Sequence, residues 1–262
     1  MCAGARAAGY SIIGHLTYFL QGYEMNDNFI NNIVKEYPSM YKLTVFKFPK
    51  ARYSTTSSKK GKDSRSQEVD IARSVRRSRM MVSDYILSND FDMFVTFTFN
   101  PKKVNRYDLN ACYFKMQSWL SRQQRKSENM MKYVIVPEKH KDGAIHFHAV
   151  MLNYPGLIKK TNVIQNNRRV YNLTSFRFGF TNMQYLDDDK QKVAAYVCKY
   201  ITKDMVTVSN RRRYWASKNL QKPVKYYNEA NNLSLDPDLH SLTFENQYLQ
   251  MHEFEKLEQL FA

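Results

Sequence analysis

Alternation of apolar and polar positions predicts a series of β-strands along the chain. The stretch DMFVTFTF, at residues 92–99, combines a period of two with the β-branched and aromatic residues that strands prefer. Short runs of turn-forming residues separate such stretches, as they do in antiparallel hairpins. The predicted strands lie at residues 41–48, 92–99, 132–138, 144–152, 175–185, 212–217 and 224–228.

Other stretches repeat apolar residues every three or four positions, which is typical of amphipathic helices. The predicted helices lie at residues 67–88, 107–126, 188–204 and 242–261. The mixture shows neither βαβ regularity nor an internal repeat, which predicts an α+β fold with a largely antiparallel sheet. We expect a central domain at 41–230, an N-terminal extension at 1–40 and a helical C-terminal segment at 231–262.

The composition indicates a globular protein with an anionic partner. The 262 residues include 40 Lys and Arg against 24 Asp and Glu, a net charge of +16, and nucleic acid is the simplest partner for such a charge. The apolar fraction of 43% excludes a disordered chain. Three cysteines (Cys2, Cys112 and Cys198) make no disulfide framework, so we expect a reducing, cytoplasmic setting. No apolar run is long enough to span a bilayer, so no membrane partner is expected.

Two basic segments are candidates for phosphate contact. Residues 59–79 contain eight basic and three acidic residues, and residues 211–225 contain basic residues without an acidic one. Each segment is either a DNA-contacting face or merely a solvated, charged face. The candidate DNA-binding residues are Arg73, Arg76, Arg77, Arg79, Arg211, Arg212 and Arg213.

Two histidines on one predicted strand are candidate metal ligands. His146 and His148 are two residues apart, so their side chains lie on the same face of the strand. Two imidazoles side by side are a common metal-ligand arrangement, although a half-buried strand can also carry two surface histidines.

A short loop before these histidines adds a carboxylate to them. Lys141, Asp142 and Gly143 fit a three-residue hairpin loop with glycine in the left-handed conformation, which pairs Glu138 with His146. Two histidines and one carboxylate leave open positions on a divalent ion for water and substrate. Two alternatives stay open. A two-residue Asp-Gly turn would move Glu138 off this face, and His140 is a rival third ligand.

The stretch AAYVCKYITKD, at residues 194–204, places two tyrosines and two lysines on one helix face. At 100° per residue the cluster consists of Tyr196, Lys199, Tyr200 and Lys203. A tyrosine hydroxyl could attack a metal-polarised phosphodiester, and the lysines could stabilise its anion. A second tyrosine one turn away could attack a second phosphodiester, which amounts to strand transfer. The simpler interpretation is an amphipathic helix with a solvated polar face.

Three ordered blocks together resemble the HUH endonucleases. They are FVTFTFNP at residues 94–101, HFH at 146–148 and YVCKYITK at 196–203, and RYWASKNLQKP at 213–223 is similar to a downstream segment in phage members. The resemblance is specifically to rolling-circle replication initiators (Rep) of the double-tyrosine type. These are typified by gene A proteins of small icosahedral single-stranded DNA phages, with gene II proteins of filamentous phages and Helitron Rep domains being similar.

The resemblance implies an HUH/RRM-like antiparallel sheet that carries the histidine strand, with the tyrosine helix beside it. It implies Mg²⁺ or Mn²⁺ held by His146 and His148, with Glu138 as third ligand. Either Tyr196 or Tyr200 would nick origin DNA, keep the 5′ phosphate and free a 3′ hydroxyl, and the other would act at termination. Residues 41–230 would form this endonuclease domain.

The sequence differs from initiators that are fused to a helicase, and this difference indicates which partner proteins are needed. No phosphate-binding G-x-x-x-x-G-K-[ST] motif is present, since Gly61-Lys62 lacks the upstream glycine and the following Ser or Thr. We therefore expect a separate helicase and a host polymerase, in the cytoplasm of a bacterial host.

Two other functional classes fit part of the pattern. A transposase or a plasmid relaxase would use the same chemistry. A non-catalytic module could instead bind single strands by stacking bases on exposed aromatic residues of the sheet. In that case Phe97, Phe99 and the segment RRRYW at residues 211–215 would carry the binding.

Overall fold

The chain folds into two antiparallel sheets with helices packed on them, which confirms the predicted α+β class. The structure is a computed structural model, and it describes residues 29–52, 64–202, 212–227 and 241–255. The strands are β1 (Phe29–Tyr37), β2 (Met40–Ala51), β3 (Met93–Phe99), β4 (Lys132–Lys139), β5 (Ile145–Leu152), β6 (Ile158–Gln165), β7 (Arg168–Leu173), β8 (Gly179–Tyr185), β9 (Trp215–Ala216), β10 (Val224–Tyr227), β11 (Ser241–Glu245) and β12 (Leu249–Phe254). The helices are α1 (Ser64–Leu87), α2 (Leu109–Lys126) and α3 (Lys190–Cys198).

The main sheet has the order β6-β7-β8-β3-β5-β4-β9, so the strand with the histidine pair, β5, lies between β3 and β4. Both neighbours are antiparallel to it. Residues of β3 alternate strictly between buried and half-buried, as the period of two in the sequence predicts. The alternation gives the sheet two different faces.

One face of the main sheet packs against α2. Phe97 of β3 and Phe147 of β5 are fully buried there, and the ring of Phe97 meets Trp119 of α2 edge to face at 5.1 Å. The helix begins at Asp108, whose carboxylate accepts hydrogen bonds from the N–H groups of Asn110 and Ala111. Each large apolar side chain buried in this core stabilises the fold by roughly 1.5–3 kcal/mol.

The aromatic residues expected to stack bases lie mainly in the core, so that prediction was wrong. Phe97 and Phe99 are 0% and 1% exposed, because the strand's alternation turns them away from the histidine face. Tyr214 is buried, and Trp215 packs between Tyr113 and Phe147 with ring centroids 4.4 and 5.0 Å away. A base would have to displace core packing to reach these rings.

The other face of the main sheet carries the histidine pair and is covered in part by α1 and α3. Val150 of β5 and Val134 and Val136 of β4 pack against Val82 of α1 and Val197 of α3. This smaller core fixes the two helices beside the histidines. The covered part ends before the row of His146, which stays half-buried.

The small sheet has the order β10-β1-β2-β12-β11 and combines distant parts of the chain. Its first strand, Phe29–Tyr37, lies within the predicted N-terminal extension and pairs with β2 and β10. The helix predicted at 242–261 was wrong, because the described part of that segment, up to residue 255, contains the strands β11 and β12. Pairing with β2 supplies the backbone partners for β12, and its buried residues, His252 and Phe254, alternate as in a strand.

Buried polar contacts join the small sheet to α1. The Lys35 ammonium lies 2.8 Å from both carboxylate oxygens of Asp84, and the Tyr37 hydroxyl donates to the same carboxylate at 2.6 Å. Burial is the main reason why the pKa of Lys35 is lowered, although Asp84 opposes that shift.

Cys112 and Cys198 are free thiols. Within the described ranges, every helix is too short or too polar to cross a membrane.

Candidate active site

The hairpin between β4 and β5 has the predicted register. Glu138 pairs with His146, and the N–H of His140 donates to the carbonyl of Ala144 at 2.8 Å. Gly143 has φ +86°, so the loop uses glycine in the left-handed conformation that other residues rarely adopt. The alternative two-residue turn is therefore wrong, and Glu138 lies on the histidine face.

Two rows of polar side chains cross this face of the main sheet. Directly paired residues share a face, so the pairs of Thr98 with His146 and of His146 with Glu138 form one row. Thr96 pairs with His148 in the next row. The threonines belong to the block FVTFTF, and no role was predicted for them.

His148 is held between a carboxylate and a hydroxyl. Its Nε2 lies 2.6 Å from Glu138 Oε2, and its Nδ1 lies 3.2 Å from the Thr96 hydroxyl. A neutral ring satisfies both contacts if Nε2 donates to the carboxylate and Nδ1 accepts from the threonine. The side chain is only 6% exposed, so these partners fix its orientation.

The surroundings of the two histidines lower the pKa values of Glu138 and His146. The hydrogen bond from His148 lowers the pKa of Glu138, because it stabilises the ionised carboxylate. Burial lowers the pKa of His146, and the nearby His140 and His148 add to that effect. Glu138 is therefore a carboxylate at neutral pH, and His146 is neutral and able to act as a ligand.

The donor set fits a divalent ion by its chemistry, but the side chains do not converge on one point. Two imidazoles and a carboxylate share this face, yet Glu138 bonds directly to His148. Among the residues that the structure describes, no three His, Cys, Asp or Glu side chains are placed to hold a metal ion together. His140, the rival ligand, stacks on His146 at 5.1 Å and is half-exposed.

The helix α3 brings the two tyrosines to the histidine face. The ring of Tyr200 stacks on His148, with centroids 3.7 Å apart and an interplanar angle of 10°. The Tyr200 hydroxyl donates to the Tyr196 hydroxyl at 2.9 Å. The Lys199 ammonium lies 3.7 and 4.9 Å from the centroids of the Tyr196 and Tyr200 rings. The structure thus brings together three of the four side chains predicted for this cluster, and Lys203 lies outside the described residues.

The helix is shorter than predicted. It ends at Cys198, and the N–H groups of Tyr200 and Ile201 bond to carbonyls three residues earlier, at 3.2 and 3.1 Å. Hydrogen bonds that span three residues instead of four extend the helical path of the backbone by part of a turn beyond the end of the regular helix. Tyr200 therefore still faces Tyr196, although it lies outside regular helix.

The two tyrosines differ in their surroundings. Tyr196 is 44% exposed, whereas Tyr200 is half-buried against His148. Burial raises the pKa of Tyr200, and its hydrogen bond to Tyr196 adds to the effect because an ionised phenol could no longer donate. Tyr200 is thus the tyrosine whose ring contacts His148, and Tyr196 is the more accessible one.

Two of the predicted DNA-binding arginines hold the end of the tyrosine helix. Arg79 Nε donates to the Ile201 carbonyl at 2.8 Å, and the Cys198 thiol donates back to the Arg79 carbonyl at 3.3 Å. Arg213 Nη1 donates to the Thr202 carbonyl at 3.3 Å. Cations are favourable at a helix carboxyl end, where carbonyl groups lack intrahelical partners. Sequence periodicity alone could not reveal this contact.

The other predicted DNA-binding residues lie at the surface. Arg76, Arg77 and Arg212 are exposed, and Arg73 is exposed and paired with Asp70 at 3.0 Å. They remain candidates for phosphate contact. Arg211 lies outside the described residues.

A comparison with protein families gives one match to part of the chain. Residues 92–205 match a family of replication-associated proteins, described by its ORF2 and gene II protein members. The match begins just before β3 and continues past α3, so it includes the histidine strand and both tyrosines. Comparisons with curated proteins and with solved structures gave no match.

Proposed function

We propose that the protein is a rolling-circle replication initiator that nicks and rejoins single-stranded origin DNA through a tyrosine. The observation that carries the proposal is the stacking of Tyr200 on His148, with Tyr196 within hydrogen-bond distance of Tyr200. The match of residues 92–205 to replication-associated proteins supports the biological role.

The tyrosines would supply the nucleophile. A phenol oxygen loses its proton and forms a bond to phosphorus, the bond from phosphorus to the 3′ oxygen breaks, and the departing 3′ oxygen takes up one proton. The products are a 5′-phosphotyrosine and a free 3′ hydroxyl that a host polymerase can extend. Because one phosphodiester replaces another, the step is reversible, and the second tyrosine can accept another strand.

The histidine face would hold the cofactor. His146, His148 and Glu138 have the donor atoms for Mg²⁺ or Mn²⁺, and the ion would polarise the scissile phosphodiester. Lys199, close to both tyrosine rings, would balance the charge of a phenolate or a phosphate. Thr96 would keep His148 oriented through Nδ1.

The direct test is a covalent adduct. Protein is incubated with labelled single-stranded DNA from its element's origin, or with a pool of stem-loops, in Mn²⁺ with or without EDTA. We expect a labelled species that survives denaturation and that EDTA prevents. Salt-sensitive binding without any adduct would contradict the proposal and favour a binding module.

We expect Arg79→Gln to slow adduct formation by bound protein about tenfold, because the Ile201 carbonyl loses a charge-assisted hydrogen bond. DNA affinity should change little. The matched variant is Arg76→Gln on the exposed side of the same helix, which should weaken binding and reduce the slope of log K against log[salt] by about one. Single-turnover kinetics and salt titrations separate the effects.

One experimental result would contradict the positioning role of Arg79. If Arg79→Gln reduced affinity and salt slope as Arg76→Gln does, while bound complexes reacted at the normal rate, Arg79 would be a phosphate contact. Partial recovery of the rate in Arg79→Lys would support the role at the helix end.

A further inference from the structure

One large aromatic side chain on the histidine face is exposed to solvent. Phe180 of β8 pairs with Thr98 of β3, and Thr98 pairs with His146 of β5. Directly paired residues share a face, so Phe180 lies in the row of His146. The side chain is 65% exposed, although β8 is an interior strand between β7 and β3.

Phe180 contributes little to the core. The neighbouring Thr181 and Met183 turn to the opposite face, and Met183 is fully buried in the core beneath α2. The burial that stabilises a phenylalanine in a fold is largely missing for Phe180. Most of the Phe180 side chain is therefore accessible to another molecule.

The position suits a base close to the predicted reaction. Two strand spacings separate Phe180 from His146, which is about 10 Å. A stacked strand advances about 3.4 Å per nucleotide, so a base on Phe180 lies within about three nucleotides of a phosphate at the histidines.

Charge around this row favours a nucleic-acid strand over a protein partner. The β6–β7 hairpin beside β8, residues 158–173, carries four basic residues and no acidic one, and one of the four, Arg168, is paired with Asp187. Its Gln165 accepts hydrogen bonds from Asn182 and Gln184, which lie on the same face as Phe180, at 2.7 and 3.1 Å. The basic hairpin is thus tied to this face at positions two and four residues along β8 from Phe180.

We propose that Phe180 is a stacking platform for an unpaired base of the DNA substrate, close to the scissile phosphate. The inference rests on the proposed nicking function, since it names how that site holds its substrate. Stacking accepts every base, so Phe180 would favour single-stranded over duplex DNA without setting the sequence.

The experiment scans a single abasic site along the origin oligonucleotide. Binding is measured by fluorescence polarisation in EDTA, so the readout does not require cleavage, and adduct formation is then measured in Mn²⁺. For the unmodified protein we expect one abasic position near the nick to weaken binding about tenfold, the scale that one stacked base provides. Phe180→Ala should bind the intact strand about tenfold more weakly and lose the position-specific effect, and Phe180→Tyr should retain both.

Phe114→Ala is the matched control, because Phe114 is 66% exposed on α2, across the opposite face of the sheet. It should behave like the unmodified protein. The proposal is overturned if Phe180→Ala binds normally and keeps the same abasic profile. If stacking is seen without any adduct, the platform stands and the nicking function fails.

Discussion

We expect that replacing both Tyr196 and Tyr200 by phenylalanine abolishes covalent attachment to DNA, with a loss of about 10⁴-fold or more in the rate of adduct formation. The rings remain, so the stacking on His148 and the packing on Phe94 are retained while the attacking oxygens are removed. The measurement is a denaturing gel of labelled DNA under single-turnover conditions. Tyr185→Phe, at an exposed tyrosine on β8, is the control.

The single variants are expected to differ in severity. Tyr200 contacts His148 and donates to Tyr196, whereas Tyr196 is more accessible and accepts that bond. Each single variant should therefore retain some adduct on the remaining tyrosine. Full activity of the double variant would remove both residues from the mechanism.

Replacing His146 and His148 together by alanine removes two of the three predicted ligands, and we expect it to eliminate cleavage. Loss of an ion that stabilises developing charge by several kcal/mol corresponds to about three or more orders of magnitude in rate. Cleavage is measured over a Mn²⁺ titration, and thermal unfolding followed by circular dichroism checks that the variant is folded. Undiminished nicking by this variant would show that the histidines hold no catalytic ion.

The third ligand can be tested by one comparison. Glu138→Gln keeps the size of the side chain but removes the charge facing His148, and His140→Ala removes the ring that stacks on His146. We expect Glu138→Gln to lose more activity than His140→Ala. The reverse order would assign the third position to His140.

Local rules explain why the histidine face could be predicted from the sequence. The spacing of His146 and His148 fixes a shared strand face, and Gly143 fixes the loop length that pairs Glu138 with His146. The spacing of Tyr196 and Tyr200 likewise survives the early end of α3, because the tighter final bonds continue the turn. Each feature depends on fewer than ten consecutive residues or on one hairpin.

Long-range pairing explains what the sequence did not reveal. The segment containing β12 reads as a helix in isolation, and only its pairing with β2 makes it a strand. Phe97 was a candidate for base stacking in one alternative, and the packing of α2 on its face of the sheet buries it, whereas Phe180 on the other face is exposed. The contact of Arg79 with Ile201 joins residues far apart in sequence, so helical periodicity predicts only that Arg79 is polar and exposed.

Peptide mapping of the adduct identifies the residue that carries the DNA. Trypsin separates Tyr196, in VAAYVCK at residues 193–199, from Tyr200, in YITK at residues 200–203. The adduct is trimmed with nuclease, digested and analysed by mass spectrometry for a nucleotide phosphate on either peptide. We expect the added mass on Tyr196 or Tyr200, dependent on Mn²⁺ and lost in the double phenylalanine variant. Attachment at any other residue, or no attached nucleotide under cleaving conditions, would contradict it.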